Sequence, residues 1–299
     1  MPDISTKIQN FSMKTPVMLA SGILDESSGS IKRSLREGAG AAVTKSIGIE
    51  ERKGYDTPVI SIISTGLLNA VGLSNPGIDN FEEEFRPFTE KERVIVSIFG
   101  KDVQEFLFLS KRVESMGFRV VELNLSCPHV KGVGSEIGQD PETVEEIVNE
   151  LRRKTNLQIW AKLTPNVTDI TKIAKAAENA DAFVLINTLK AIGIDIYSRK
   201  FLLSNKVGGY SGPGIKPVAQ RAVYDVYTET GKDIIGVGGI NTWEDAVEFF
   251  LLGAKAIQVG TGLYYEDYAI FNKINTGIDA YLEKENFSNL GEIVGLSVR

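Results

Sequence analysis

The sequence has one cysteine and one histidine in 299 residues. A single thiol excludes a disulfide within the chain, and it excludes an iron–sulfur cluster held by this chain's thiolates alone. A single histidine with no acidic cluster beside it supplies no metal-ligand set, so no metal site is expected. Long apolar runs are missing too. No stretch approaches the ~20 apolar residues a membrane span needs, and the N-terminus lacks the basic-then-apolar profile of a signal segment. Nor is there an excess of positive charge: 33 Lys and Arg stand against 39 Asp and Glu, a formal charge of −6. That balance argues against a bulk nucleic-acid or membrane-surface role and leaves room for a local basic pocket. The free thiol fits a reducing compartment, so a cytoplasmic location is expected. With 42% hydrophobic and 24% charged residues, composition is that of an ordinary folded protein. One domain over residues 1–299 is expected, long for most folds but normal for an α/β barrel.

The solitary cysteine ends the most informative stretch, Arg119 to Val130. Val121, Leu123 and Leu125 form one face of a buried strand, and Asn124, Ser126, Cys127 and His129 are released where it stops. Pro128 holds Cys127 extended, and Gly132 and Gly134 continue into a loop. Similar strands recur along the chain. Pro16–Ala20 ends in Ser21-Gly22 and is followed by a helix from Ser28 to Glu37. Ala41–Thr44 delivers Lys45 and Ser46, and Val94–Ile98 precedes a helix from Val103 to Met116. Asp140 is placed to cap a helix running from Pro141 to Lys154. Leu157–Leu163 carries Lys162, Ala182–Ile186 ends at Asn187-Thr188, Asp233–Val237 at Gly238-Gly239, and Lys255–Val259 at Gly260-Thr261. Helices are expected over Asp169–Glu178, Ile215–Tyr227, Thr242–Leu252 and Tyr264–Gly277, with a last segment over Tyr281–Glu285. Eight strands each preceding a helix point to an α/β fold, a closed (β/α)8 TIM barrel. Thr6–Met13 reads as an N-terminal hairpin. Residues 47–77 read as an ordered insertion with a hairpin near Val59–Ile63, and Leu189–Pro213 as a long irregular one, both at the active-site end.

In that register the strand ends face one mouth. Glycines after the seventh and eighth strands form the phosphate cup common in such barrels. Asn69, Asn124, Asn187 and Thr188 can read both the C=O and the N–H of a flat cyclic amide. Lys162, from mid-barrel, can stabilise the charge that a reduced flavin develops near N1 and O2. Taken singly, each residue has a plainer explanation. A lone cysteine is most often incidental, its thiol mostly protonated below a pKa of about 8.5. Lysines snorkel, and asparagine beside glycine is ordinary loop chemistry. Their convergence at one rim favours the functional reading.

The stretches PVMLASGI, AAVTKSIG, LLNAVGLSNPG, VELNLSCPHV, AKLTPNVTDI, VLINTL, GYSGPGIKPVA, GVGGI and IQVGTGLY carry a resemblance over nearly the whole chain. The sequence resembles the catalytic flavoprotein subunit of class 1 dihydroorotate dehydrogenases. The resemblance implies Cys127 as catalytic base, and Lys45, Asn69, Asn124, Asn187 and Thr188, with backbone at Gly72 and Leu73, as pyrimidine contacts. It implies FMN contacts at Ala20, Ser21, Gly22, Lys45, Ser46, Asn124, Lys162, Gly212, Gly238, Gly239, Gly260 and Thr261. KLTPNVTD, INTL and SGPGIKP look like the NAD-linked type, which implies a partner subunit carrying FAD and a [2Fe–2S] cluster in an α2β2 heterotetramer. The reaction so implied oxidises L-dihydroorotate to orotate in pyrimidine biosynthesis, Cys127 taking the C5 proton and FMN the C6 hydride. The loops before Gly77 and around 190–212 are the expected lids.

His129 stands where bacterial members usually carry asparagine. The same CPH, followed by Gly138-Gln139-Asp140-Pro141, resembles the pyrimidine-reducing domain of dihydropyrimidine dehydrogenase. That alternative is a uracil or thymine reductase with Cys127 as general acid, and the three asparagines and the threonine are common to both. A fumarate-using homodimer and a non-redox phosphate-binding barrel are the remaining alternatives.

Overall fold

The computed structural model describes residues 2–126 and 137–299. Cys127, His129, Gly132 and Gly134 lie outside the described residues.

Eight parallel strands close a barrel: β1 (Val17–Leu19), β2 (Ala41–Val43), β3 (Val94–Ile98), β4 (Val120–Asn124), β5 (Gln158–Leu163), β6 (Ala182–Leu185), β7 (Asp233–Val237) and β8 (Ala254–Val259). Neighbours in sequence are neighbours in space, and β8 returns to β1 through Ile257–Val17, Gln258–Met18 and Val259–Leu19. The surrounding helices are α1 (Ser28–Arg36), α2 (Gly77–Phe85), α3 (Val103–Ser115), α4 (Pro141–Lys154), α5 (Ile170–Ala176), α6 (Lys216–Thr230), α7 (Trp243–Leu251), α8 (Gly262–Glu266) and α9 (Ala269–Lys284). Several starts are written locally. Ser27 accepts the Ser30 N–H and Asp102 accepts that of Glu105, which satisfies first-turn donors that the helices themselves cannot.

Because strand side chains alternate, the barrel has two apolar layers. Outward residues such as Val17, Val96, Val121, Leu123 and Ile159 pack against the helices in the larger cluster. Inward residues form the second, where fully buried Trp160 is surrounded by small or branched neighbours including Ala41, Val120, Ala182, Val184 and Ala256. The N-terminal hairpin, Thr6–Ile8 paired with Phe11–Met13, plugs this inner cluster from one end. The Phe11 ring meets Trp160 edge-on at 5.4 Å. The opposite end stays open, at the carboxyl ends of the strands.

The two insertions meet over that open end. Ile60–Ile63 and Gly66–Asn69 form the expected hairpin, but Leu189–Ile192 and Val207–Ser211 are strands as well, and all four make one antiparallel sheet. The second insertion is therefore not irregular. Its order depends on pairing with residues about 140 positions away, such as Gly209 with Asn69. Three further differences have local causes. Helix α2 is hidden in sequence by its acidic run, yet it buries Ile78, Phe81 and Phe85. Asp140 does not cap α4 through its side chain; its carboxylate accepts the Thr143 hydroxyl instead. The final helix breaks at Asp267, which has φ 52°, and runs unbroken through Gly277, where a close approach of Trp243 requires glycine. Among the described residues, no helix is long and apolar enough to cross a membrane.

Candidate functional site

A cavity of about 540 Å³ opens at the carboxyl ends of the barrel strands, roofed on one side by the insertion sheet. That volume lies within the roughly 300–1,000 Å³ common for small-molecule sites. Every site residue expected from the sequence that falls among the described residues is on its wall: Ala20, Ser21, Gly22, Lys45, Ser46, Asn69, Gly72, Leu73, Asn124, Lys162, Asn187, Thr188, Gly212, Gly238, Gly239, Gly260 and Thr261. Cys127 lies outside the described residues, but Ser126, the residue before it, lines the cavity.

Strand register brings the polar residues together. Asn124 and Lys162 are direct partners across β4 and β5, so both emerge at the same height of the barrel. The Asn124 amide donates to Ser46 Oγ at 3.0 Å, its Oδ1 accepts from Asn187 Nδ2 at 3.3 Å, and Ser46 is 2.8 Å from Ser97 Oγ. One connected row of amides and hydroxyls thus spans three strand exits. Asn69 reaches the cavity from the insertion sheet, where its Nδ2 donates to the Gly209 carbonyl at 3.2 Å. A Cβ at Gly209 would stand 2.2 Å from Thr188 Oγ1, so glycine is what lets the roof settle against the amide row. Lys45 is held through Nζ to Glu26 Oε1 at 3.0 Å.

The facing wall is backbone. Gly238 and Gly239 have φ of 135° and 75°, conformations that favour glycine. The N–H groups of Gly239, Gly260 and Thr261 find no backbone acceptor among the described residues. Bare amides at two adjacent strand exits suit an anion, and the Thr261 hydroxyl is fixed beside them by a 2.9 Å bond to Ser211 Oγ.

The floor holds a buried polar cluster. Lys162 Nζ donates to Glu122 Oε1 at 3.1 Å and to Gln258 Oε1 at 3.4 Å, while Gln258 Nε2 donates to Glu122 Oε2 at 2.6 Å. Glu122 and Gln258 are absent from the sequence-derived set although both line the cavity. Their signal was one of parity. Glu122 shares the inward face of its strand with Asn124, and a charged residue at that position in an otherwise apolar strand must have a buried partner.

A closed barrel with its polar groups gathered at the carboxyl ends of its strands is the arrangement of a (β/α)8-barrel enzyme. Residues 3–282 match the dihydroorotate dehydrogenase family, and the chain belongs to that family. It is 52% identical to the dihydroorotate dehydrogenase B (NAD(+)) catalytic subunit of Thermoplasma acidophilum over 100% of both chains. It is 53% identical to that of Pyrococcus furiosus, covering 98% of this chain and 99% of the relative, and 43% identical to that of Methanocaldococcus jannaschii, covering 98% of each.

Proposed function

We propose that the chain is the catalytic subunit of an NAD+-linked dihydroorotate dehydrogenase, oxidising L-dihydroorotate to orotate in pyrimidine biosynthesis. The observation that carries this reading is the placement of Lys162 at the floor of a cavity with an amide row on one side and bare backbone donors on the other. These residues fit FMN. The Gly239, Gly260 and Thr261 amides suit its phosphate, and the turn at Gly22 leaves open space where a side chain would stand. When bound, FMN supplies the acceptor for the hydride leaving C6. Lys162 would present its ammonium to the ring, and Ala20, Ser21, Ser46 and Gly212 line the remaining wall.

Asn69, Asn124, Asn187 and Thr188 hold the pyrimidine, since carboxamides and a hydroxyl match its alternating C=O and N–H groups. Lys45 and the backbone at Gly72 and Leu73 complete that subsite. Cys127 removes the C5 proton. Support for that role comes from the NLSCP motif and from Ser126 reaching the cavity wall immediately before it. Loss of H+ from C5 together with hydride from C6 leaves the C5=C6 double bond of orotate.

The relatives are named catalytic subunits of an NAD(+)-linked enzyme, which supports a partner subunit. In this reading the partner carries FAD and a [2Fe–2S] cluster that this chain's single cysteine could not hold, in an α2β2 assembly of cytoplasmic location. Ile60, Ile62 and Ile192 are each more than half exposed around the mouth, an apolar rim that suits a protein partner. In this reading residues 1–299 form one FMN-binding domain.

Anaerobic titration tests the proposal. Dihydroorotate should bleach the bound flavin in stoichiometric amounts, whereas dihydrouracil should leave it oxidised. Bleaching by dihydrouracil alone would transfer the chain to the pyrimidine-reductase reading, and a protein that takes up no flavin would end both. Cys127→Ala should retain FMN and orotate but bleach about 10²–10⁴-fold more slowly.

A further inference from the structure

We infer that Glu122, with Gln258, is a positioning residue that holds Lys162 and sets the charge beneath the cofactor. This rests on the reading that FMN lies over Lys162. Glu122 is fully buried, and Gln258 and Lys162 are 1% and 6% exposed. The three form a closed ring: Glu122 accepts from Lys162 through one oxygen and from Gln258 through the other, and Gln258 accepts from Lys162 in turn.

An ammonium has three donors. Two of Lys162's are spent on the ring, so one remains for the cavity that the residue lines. The ring also fixes where that donor stands, because its members come from β4, β5 and β8. A lysine with four rotatable bonds needs such anchoring to serve as a fixed charge. Below the ring lie Trp160, Val120 and Ala256, all fully buried, so little solvent screens it from underneath.

Glu122 therefore does two things at once. It aims Lys162, and it offsets the ammonium's charge within about 3 Å, which limits how strongly the floor favours electrons on the cofactor. Removing the carboxylate charge while keeping its shape must make the bound flavin easier to reduce. Adding a second carboxylate to the ring must do the reverse.

The test uses FMN-loaded protein and reads the flavin midpoint potential against an indicator dye, without substrate turnover. Glu122→Gln should keep its FMN and shift the reduction equilibrium toward the reduced flavin by about tenfold, which for two electrons corresponds to ~30 mV. Gln258→Glu should shift it in the opposite sense, and provides the measurement if Glu122→Gln fails to fold. Glu122→Asp, which restores the charge, should return the potential toward wild type even where the shorter side chain weakens catalysis. A purely structural role for Glu122 would alter stability or FMN retention and leave the potential of loaded protein unchanged in the charge variants. That result overturns the inference. Wild-type protein that binds no FMN would instead remove the functional reading on which it rests.

Discussion

Asp25 lies between the turn after β1 and Lys45. Its Oδ2 accepts the Gly22 N–H at 2.6 Å, while Oδ1 is buried without a partner among the described residues. Burial, ahead of all other causes, pushes its carboxyl up to about 6, against the opposing pull of the Gly22 N–H and the Lys45 charge. The folded chain therefore holds this proton more tightly than the unfolded chain, whose Asp titrates near 4. Between about pH 4 and pH 6 the native state binds more protons, so Asp25's contribution to stability falls as pH rises through that window. Above it the full cost remains, about 3 kcal/mol for a shift of this size. Asp25→Asn abolishes the titration and keeps an oxygen for Gly22. Urea unfolding at pH 4 and pH 7.5 should show the variant gaining on wild type by up to ~3 kcal/mol between the two values. An offset that is equal at both would show that Asp25 is not titrating there. The pH difference is the quantity to compare, because the fixed effect of placing an amide at the orphaned Oδ1 cancels in it.

At the scale of elements, two contacts hold outlying segments against the barrel and each other. The hairpin at the N-terminus contributes Phe11, 5% exposed and edge-on to Trp160, as part of the plug of the inner layer. Phe11→Ala should cost about 3–5 kcal/mol in chemical denaturation, while FMN retention is preserved because the cavity lies at the barrel's other end. Helix α9 packs on α7 where Gly277 meets Trp243. Glycine inside a helix ordinarily gives up about 1 kcal/mol relative to alanine, which alone predicts that Gly277→Ala stabilises. Here a Cβ would stand 2.1 Å from Trp243 Cγ, in the body of the indole and not at a flexible tip. Overpacking of that kind costs about 1–3 kcal/mol or more, so the sign reverses and Gly277→Ala should lower Tm. The same contact explains why sequence reading breaks the last helix in the wrong place. Glycine marks both helix ends and close approaches, and only the neighbouring helix distinguishes them. Strand parity was legible where apolar residues alternate, as at Val121 and Leu123. The same parity places Glu122 on the inward face, but its partners were not legible, because Lys162 and Gln258 come from other strands.

At the scale of the whole molecule, the site is assembled from seven of the eight strand exits and two insertions, and these parts differ in how far sequence could reveal them. Strand exits are local: an apolar run followed by Ser-Gly, Lys-Ser or Gly-Gly announces a turn and the residues on it. The roof is nonlocal, since Gly209 pairs with Asn69 and nothing near either residue says so. The cofactor reading makes the two halves one thermodynamic unit. A ligand bound only by the folded chain adds RT ln(1 + [L]/Kd), about 2.7 kcal/mol at a hundred times Kd, so FMN added to flavin-free protein should raise Tm by several degrees. Gly239 is the position at which to remove that gain. Its φ is 75°, and a Cβ there would stand 2.8 Å from Lys216 Cβ and 2.9 Å from the Gly212 carbonyl oxygen. Gly239→Val must distort the turn that presents the amides proposed to hold the phosphate. The variant should melt lower than wild type without FMN and respond to added FMN by a much smaller rise in Tm. Because each protein is compared with itself, the lost response separates cofactor binding from general destabilisation. If the variant's melting point climbed as far as wild type's, the phosphate would have to be held elsewhere on the cavity wall.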